Sequence, residues 1–414
     1  LIRRVSAKPP ERADLSPVRF RDVLAVREFR ALFTAHLLSV TGDELARLAL
    51  ALLVYARTSS AMLAALTFGL GYLVWVLGTP LGSLLADRWP RRRVMVGCDL
   101  ARLVLVAAMA WPGVPLPVLL LLLAGTSLLT PAYWSARAAL LPDVLPGDAY
   151  VVGSALSAVS LQAAQVVGFL AAGVVVASVG ARPALALDAL TFAVSAVLLL
   201  TRVRPRPAPA AHPDRPVGRL GDLFAGPRLV FGDRRLRYLV LLAWTVSAAT
   251  VVPEALAVPV AADRSGSETV AGVLTAAGPF GAAVGITALA RWARPAERVR
   301  LIVPLALLGC APLMLTPVLP GWVSVAVLWT AAGLGSAYNL PANTTFVRAV
   351  PEHLRGRAVG LAQAGLQVSQ GLAIAVAGLA ARAVDADIVL ALSGGLGGTA
   401  VLLLARRRPD LPLD

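Results

Sequence analysis

Long apolar blocks, separated by short charged segments, run the whole length of this chain of 414 residues. A helix rising about 1.5 Å per residue needs about 20 apolar residues to cross a hydrocarbon core about 30 Å thick. Blocks of that length lie near residues 28–55, 61–86, 94–111, 115–140, 149–179 and 183–201. A second set lies near 237–260, 268–290, 299–318, 322–346, 357–382 and 387–405. The pattern predicts an all-α integral membrane protein with twelve transmembrane helices. Residues 1–27 are polar and basic and do not read as a cleavable signal.

The polar segments divide and orient these spans. Only one internal polar stretch is long, 202–236, and it is expected to be a cytoplasmic linker between two six-helix bundles at 28–201 and 237–405, with tails at 1–27 and 406–414. Its Pro-rich first half should be extended, and its second half suits a short amphipathic helix on the membrane surface. Arginine gathers in alternate connections, at Arg88 and Arg91 to Arg93, at Arg291, Arg294, Arg298 and Arg300, at Arg348, Arg355 and Arg357, and at Arg406 to Arg408. The other connections carry at most one each, Arg57, Arg182, Arg264 and Arg382. Positive charge marks the cytoplasmic side, so both termini are expected there, in a multi-pass protein of a bacterial plasma membrane.

The two halves also repeat. Leu161-Gln162-Ala163-Ala164-Gln165 in the fifth span corresponds to Leu366-Gln367-Val368-Ser369-Gln370 in the eleventh, and Gly173 to Gly378, at one offset of 205 residues. Arg88-Trp89 and Arg291-Trp292 agree at almost the same spacing. Equal rank and equal orientation make this a parallel repeat about an axis along the membrane normal. The fold class is therefore two pseudo-symmetric six-helix bundles.

Composition narrows the chemistry. The chain is 58% hydrophobic and 15% charged, against about 45–50% and about 25% in soluble proteins. Its net charge of +15 is scattered in short connections, which argues against nucleic acid as a partner. Lys8 is the only lysine, so the chain carries no P-loop or Schiff-base lysine. Cys98 and Cys310 lie far apart in apolar runs and suggest neither a disulfide nor a metal site. No zinc-hydrolase or serine-hydrolase motif occurs. The expectation is a protein that is not an enzyme and has no cofactor and no metal.

The connection between the second and third spans reads Ser83-Leu84-Leu85-Ala86-Asp87-Arg88-Trp89-Pro90-Arg91-Arg92-Arg93. It resembles the signature loop of the major facilitator superfamily, Gly-x-Leu-Ala-Asp-Arg-x-Gly-Arg-Arg/Lys. Ser83 and Pro90 stand where that pattern has glycine, and the copy at 290–299 lacks the Asp. Phe29 to Tyr55, Ala136 to Asp148 and Ala184 to Ala196 are similar to the branch of drug:proton antiporters containing macrolide-efflux proteins and the enterobactin exporter. The resemblance implies the major facilitator fold and export of small organic molecules in exchange for protons. The antiporter signature Gly-Pro-x-x-Gly-Gly is degenerate here, reading Gly168-Phe169-Leu170-Ala171-Ala172-Gly173.

In that loop Asp87 can accept from exposed N–H groups of a neighbouring helix or pair with an arginine. With Arg88, Arg91 and Arg92 it is the candidate gating loop. Within the spans, an ionisable side chain costs about 2.5–3.5 kcal/mol at mid-membrane and is a functional candidate by default. Asp43, Glu44 and Arg47 in the first span, Asp188 in the sixth and Glu254 in the seventh are candidates for proton or substrate coupling. Asp43 and Arg47, four apart, can pair; Asp188 and Glu254 are expected towards the outer surface, as proton ports or solvated mouth residues. Asp99, Arg102 and Arg137 are expected in a network at the cytoplasmic end. Gln162, Gln165, Gln367 and Gln370 can line a cavity or join helices. Trp75, Tyr133, Trp134, Trp244 and Tyr338 can stack on an aromatic substrate or sit in interfacial belts. The partners implied are membrane lipid, a small-molecule substrate and protons, for a protein acting as a monomer. An importer or uniporter of a metabolite, or a transport-silent membrane sensor, fits the same spans.

Overall fold

The computed structural model describes residues 19–207 and 225–409, and among them every regular element is a helix. A short α1 (Phe20–Ala25) leads into α2 (Arg27–Thr58), followed by α3 (Ala61–Arg88), α4 (Arg91–Ala110), α5 (Leu116–Val144), α6 (Asp148–Val179) and α7 (Ala181–Arg202). After α8 (Ala225–Gly232) the second half comprises α9 (Arg234–Thr250), α10 (Val252–Arg264), α11 (Glu268–Trp292), α12 (Pro295–Arg300) and α13 (Ile302–Cys310). A 3-10 turn, Ala311–Leu315, continues α13, and α14 (Trp322–Gly335), α15 (Asn339–Ala349), α16 (Arg355–Ala380) and α17 (Ala386–Arg406) complete the chain. Among the described residues nine rods are long and apolar enough to cross a membrane, counting α9–α10 and α14–α15 as one each. The remaining three are α2 and α4, which carry charges along their length, and the shorter unit Ile302–Leu315. The total is consistent with the twelve expected. Of the predicted linker, α8 is the described part of the amphipathic segment; the stretch 208–224 lies outside the described residues.

Local chemistry sets the helix ends. Ser60 accepts from the Leu63 N–H at 3.3 Å, and Asp233 accepts from Arg235 and Leu236 at 2.7 and 3.0 Å, each satisfying first-turn donors that have no helical partner. A single residue, Gly180 at φ +90°, turns α6 into α7, a backbone angle that glycine adopts without strain.

The internal repeat appears as repeated packing. In the first half α2 packs on α6 and α7, α3 on α5, and α4 on α5 and α7. In the second half α9 packs on α16 and α17, α11 on α14, and α13 on α14 and α17. These are the same neighbours by rank. The halves meet through α3 with α16 and α6 with α11, which the repeat also exchanges.

The second half departs from the first in one respect. Its seventh and tenth spans are interrupted at mid-length, at Val251 and at Ser336–Tyr338, and its ninth tightens into a 3-10 turn at its end, Ala311–Leu315. Pro253, Pro312 and Pro341 lie beside these breaks, and each removes a backbone donor and crowds the carbonyl four residues earlier. α2, α4, α6 and α7 run uninterrupted.

Candidate functional site

The four hydrophobic cores define where the molecule is open. On the face away from the described chain ends, one core joins both halves, with Leu48, Phe68 and Phe169 from the first against Leu256, Leu274 and Ile374 from the second. On the face bearing those ends, the halves have separate cores, one around Leu32, Met95 and Tyr133, the other around Leu239, Ile302 and Phe346. The closed end is tight: a Cβ on Gly272 would lie 2.7 Å from the Phe169 carbonyl oxygen and 2.9 Å from the Gly173 Cα. Only glycine lets α6 and α11 approach so closely.

Between the separated ends lies a cavity of about 560 Å³. Its walls are mostly apolar, with Trp244, Ile286, Leu340 and Phe346 among them, and its polar groups are the carboxamides of Gln162, Gln363, Asn339 and Asn343 and the hydroxyl of Thr287. A chamber of about 210 Å³, sharing Gln162, Asn339 and Leu366 with it, is lined by Gln165, Gln370 and Glu254. Trp244 is held in the wall by donating its indole N–H to the Ala362 carbonyl at 2.9 Å.

Glu254 joins the two halves. The Tyr72 hydroxyl of α3 donates to it at 3.3 Å, and the Arg47 guanidinium lies 5.8 Å from the centre of the Tyr72 ring. Arg47 in turn pairs with Glu44 at 3.0 Å, and Glu44 accepts from Gln165 at 3.2 Å. Arg47 therefore does not take Asp43, the partner its spacing suggests. On the helix it lies between the two carboxylates, and Asp43 is already 3.5 Å from Arg102 of α4. Glu254, expected near the outer end of its span, sits in the first turn of α10, ten residues before Arg264, about 15 Å at helical rise.

A second cluster fills the first half. Arg102 binds Asp99 at 2.7 Å, Asp99 accepts from Ser195 at 2.6 Å, and the guanidinium lies over the Tyr133 and Phe192 rings at 4.8 and 4.5 Å. Asp99 and Arg102 are 0% and 1% exposed. They do not belong to a network at the helix end: Asp99 lies eight residues into α4, about 12 Å along it. Arg137 is likewise two turns inside α5, donating to Ser157 at 2.9 Å. Asp188 lies about two turns into α7 as expected, yet it is sealed at 1% exposure against α2 and is no solvated mouth residue. Tyr133 and Trp134 pack on His36, at 6.3 and 4.7 Å between ring centres, and Tyr338 is buried on the Ala243 carbonyl, so of the candidate stacking aromatics Trp244 is the one that lines the cavity.

The gating-loop arginines dock within their own half. Arg91 binds Asp143 at 2.6 Å and the Ala139 carbonyl at 2.7 Å, while Arg92 caps α7 through the Leu199 and Leu200 carbonyls. Arg88 is exposed, and the Asp87 side chain lies outside the described residues. Gln162, Gln165 and Gln370 line the cavities; Gln367, their repeat partner, does not. Sequence reasoning passed over Tyr72, Asn339, Asn343 and Gln363, whose placement at the cavity depends on the helix breaks and on which face each helix turns inward.

Two six-helix bundles joined at one end around a central cavity define a multi-pass membrane transporter. The Major Facilitator Superfamily profile matches residues 32–254 and 239–413, and the chain belongs to that family. The multidrug efflux pump Tap of Mycobacterium tuberculosis, and that of Mycobacterium bovis, is 27% identical over 341 residues, covering 79% of this chain and 80% of the relative. Among solved structures, a variant of the nucleoside transporter NupG superposes with a TM-score of 0.70 at 14% identity, over 92% of this chain and 99% of that one. A POT family transporter bound to a thioalcohol-conjugated peptide gives 0.72 at 11% identity, over 92% and 96%. These two likenesses concern the fold alone.

Proposed function

We propose that this transporter is a proton-coupled exporter of small organic molecules, working by alternating access, with the bundles 28–201 and 237–405 as its moving bodies. The observation that carries this reading is the 560 Å³ apolar cavity, open on the face of the chain ends and sealed on the other by the α6–α11 and α3–α16 contacts. The arginine-rich connections lie on the open face, so by the positive-inside rule that face is cytoplasmic, with both termini. The cavity then takes its cargo from the cytoplasm or the inner leaflet. Release requires the sealed end to part and the open end to close, a rocking of one bundle against the other.

The lining suits a molecule that is largely apolar, bears a few hydrogen-bonding groups and carries no net negative charge. The carboxamides offer both donors and acceptors, and Glu254 is the ionisable group in the chamber wall. Because Tyr72 and Glu254 belong to different halves, their hydrogen bond must be remade or broken as the halves rock, which couples occupancy at Glu254 to conformation. The similarity to a multidrug efflux pump supports export. The protein reconstituted as a monomer in proteoliposomes, with ethidium as the probe, tests the proposal. An imposed pH gradient should drive ethidium into vesicles whose interior is acidic and which hold the protein inside-out. Ethidium movement indifferent to the pH gradient would overturn proton coupling, and no protein-dependent movement of any drug in a panel would overturn the exporter.

A further inference from the structure

Among the described residues, two mid-membrane carboxyl groups have only a hydroxyl for a partner, and they differ in what can reach them. Glu44 has Arg47, and Asp99 has Arg102. Asp43 shares the same Arg102 at the longer distance of 3.5 Å. Glu254 has the Tyr72 hydroxyl and lines the chamber, where a substrate can meet it. Asp188 has the Thr191 hydroxyl, which donates to one of its oxygens at 3.1 Å, and its other oxygen, Oδ2, is buried with no hydrogen-bond partner. At 1% exposure behind α2, no organic substrate can reach it.

The backbone of α2 is shaped to let Asp188 in. Gly42 faces it, and a Cβ there would fall on Asp188 Oδ1 and Thr191 Oγ1. The next residue is Asp43, whose side chain remains 29% exposed at mid-helix. Asp43 is therefore the carboxyl group beside Asp188 that solvent can reach. The charged groups facing Asp188 are Asp43 of α2 and Asp99 and Arg102 of α4, with no cation reserved for it.

We infer that Asp188 is the proton-holding site of the coupled transport proposed above, loaded through Asp43 and kept out of contact with the cavity that holds the substrate. An unpaired carboxylate at this depth is costly, and a proton on Oδ2 removes the charge. A metal ion fits poorly, because hard cations take six or more oxygens and Arg102 already holds Asp43 and Asp99, leaving Asp188 and the Thr191 hydroxyl. The transfer balances: protonated Asp43 gives its proton to the Asp188 carboxylate, one O–H bond breaking as the other forms, and the Asp43 carboxylate left behind is received by Arg102. Glu254 is thereby left to the substrate. The two roles communicate through the first span, where Asp43 adjoins Glu44 and Glu44 holds Arg47 beside Tyr72.

Two measurements on the purified full chain decide this. In infrared titration, the wild type should show the carbonyl stretch of a protonated carboxylic acid that Asp188→Asn lacks and Glu254→Gln retains. In proteoliposomes, Asp188→Asn should lose pH-driven ethidium concentration yet keep ethidium counterflow at the wild-type rate, whereas Glu254→Gln should lose counterflow. Retention of pH-driven concentration by Asp188→Asn, retention of every titrating band, or concentration driven equally by a sodium gradient would overturn the assignment. If the wild type moves no ethidium at all, the exporter reading fails on that cargo, and the infrared titration still decides whether Asp188 holds a proton.

Discussion

The two halves share a helix order and a packing plan, yet their interiors are built oppositely. The first half encloses Asp43, Glu44, Asp99, Arg102 and Asp188 within uninterrupted helices. The second has interrupted helices and contributes most of the apolar and carboxamide wall of the cavity, which Gln162 of α6 completes from the first half. Each arrangement follows from a cost that the membrane imposes. Buried charges need fixed partners, because a half-satisfied polar network is worse than none. Backbone freed from helical bonding is tolerated at this depth only inside protein or beside a cavity, and Val251, Gly333 and Ser336 at the breaks do line the smaller chamber. The difference teaches that one repeat concentrates the paired charges and the other the helix breaks and most of the cavity wall.

The largest expected effect tests the charged half. Arg102→Ala strands Asp99 and leaves Asp43 unpaired, a loss of about 3–5 kcal/mol for a buried pair broken from one side. The thermal unfolding midpoint of the detergent-purified protein should fall steeply, while Asn343→Ala in the second half should scarcely move it. Equal midpoints would erase the contrast between the halves. Next in size is the seal. Gly173→Leu overpacks the α6–α11 crossing, and overpacking costs about 1–3 kcal/mol, here against only the conformation with that end closed. The population should shift towards the state open on the opposite face. A cysteine placed by Asn343→Cys should then react with an impermeant maleimide roughly tenfold less, the equivalent of about 1.4 kcal/mol. Native Cys98 and Cys310 are buried and give little background. Undiminished labelling would show that the glycine crossing does not hold the closed end.

A smaller effect examines the wall. Trp244→Ala removes the aromatic face in the cavity, and contacts of that kind contribute about 0.5–1.5 kcal/mol. Ethidium binding, followed by fluorescence anisotropy, should weaken by up to about tenfold without loss of thermal stability. The same affinity in the variant would place the cargo elsewhere in the cavity.

Much of the architecture was legible because it rests on bulk apolarity and charge, which no tertiary detail can hide. The span boundaries differ from the helices by a few residues, and the offset joining Gln165 to Gln370 reappears as matched packing. The site was legible in its membership and less so in its wiring. Asp43, Glu44 and Arg47 were visible as costly residues, but helix spacing alone allowed Arg47 either carboxylate, and the choice depends on Arg102 from another helix. Asp99 and Arg102 stand close in sequence to Arg91–Arg93, which drew them towards the loop, although eight residues of helix carry Asp99 to mid-membrane. Glu254 was expected nearer the outer end because the apolar block stops near 260, whereas the helix after the break at Val251 runs on to Arg264. Asn339, Asn343 and Gln363 are ordinary polar residues until the fold turns them to a common space.

The smallest expected effect concerns a contact that would cross from the charged half to the other on the open face. Arg91 and Arg92 are already engaged within the first half, so a gating contact falls to Asp87, in the last turn of α3. α3 packs along α16, whose N-terminal turn, preceded by the 3-10 turn Glu352–Leu354, lies at the same face. A carboxylate at a helix N-terminus gains about 0.3–1 kcal/mol, and here it would gain it only when the open face closes. Asp87→Asn should therefore bias the protein towards the open-cavity state and slow ethidium efflux about two- to fivefold, with membrane insertion and thermal stability intact. Because the bias acts on one conformation, labelling at Asn343→Cys should rise in the same variant. Unchanged efflux together with unchanged labelling would mean that the loop only anchors the helix ends at the lipid headgroups, and that closure of this face is governed by contacts within the cavity.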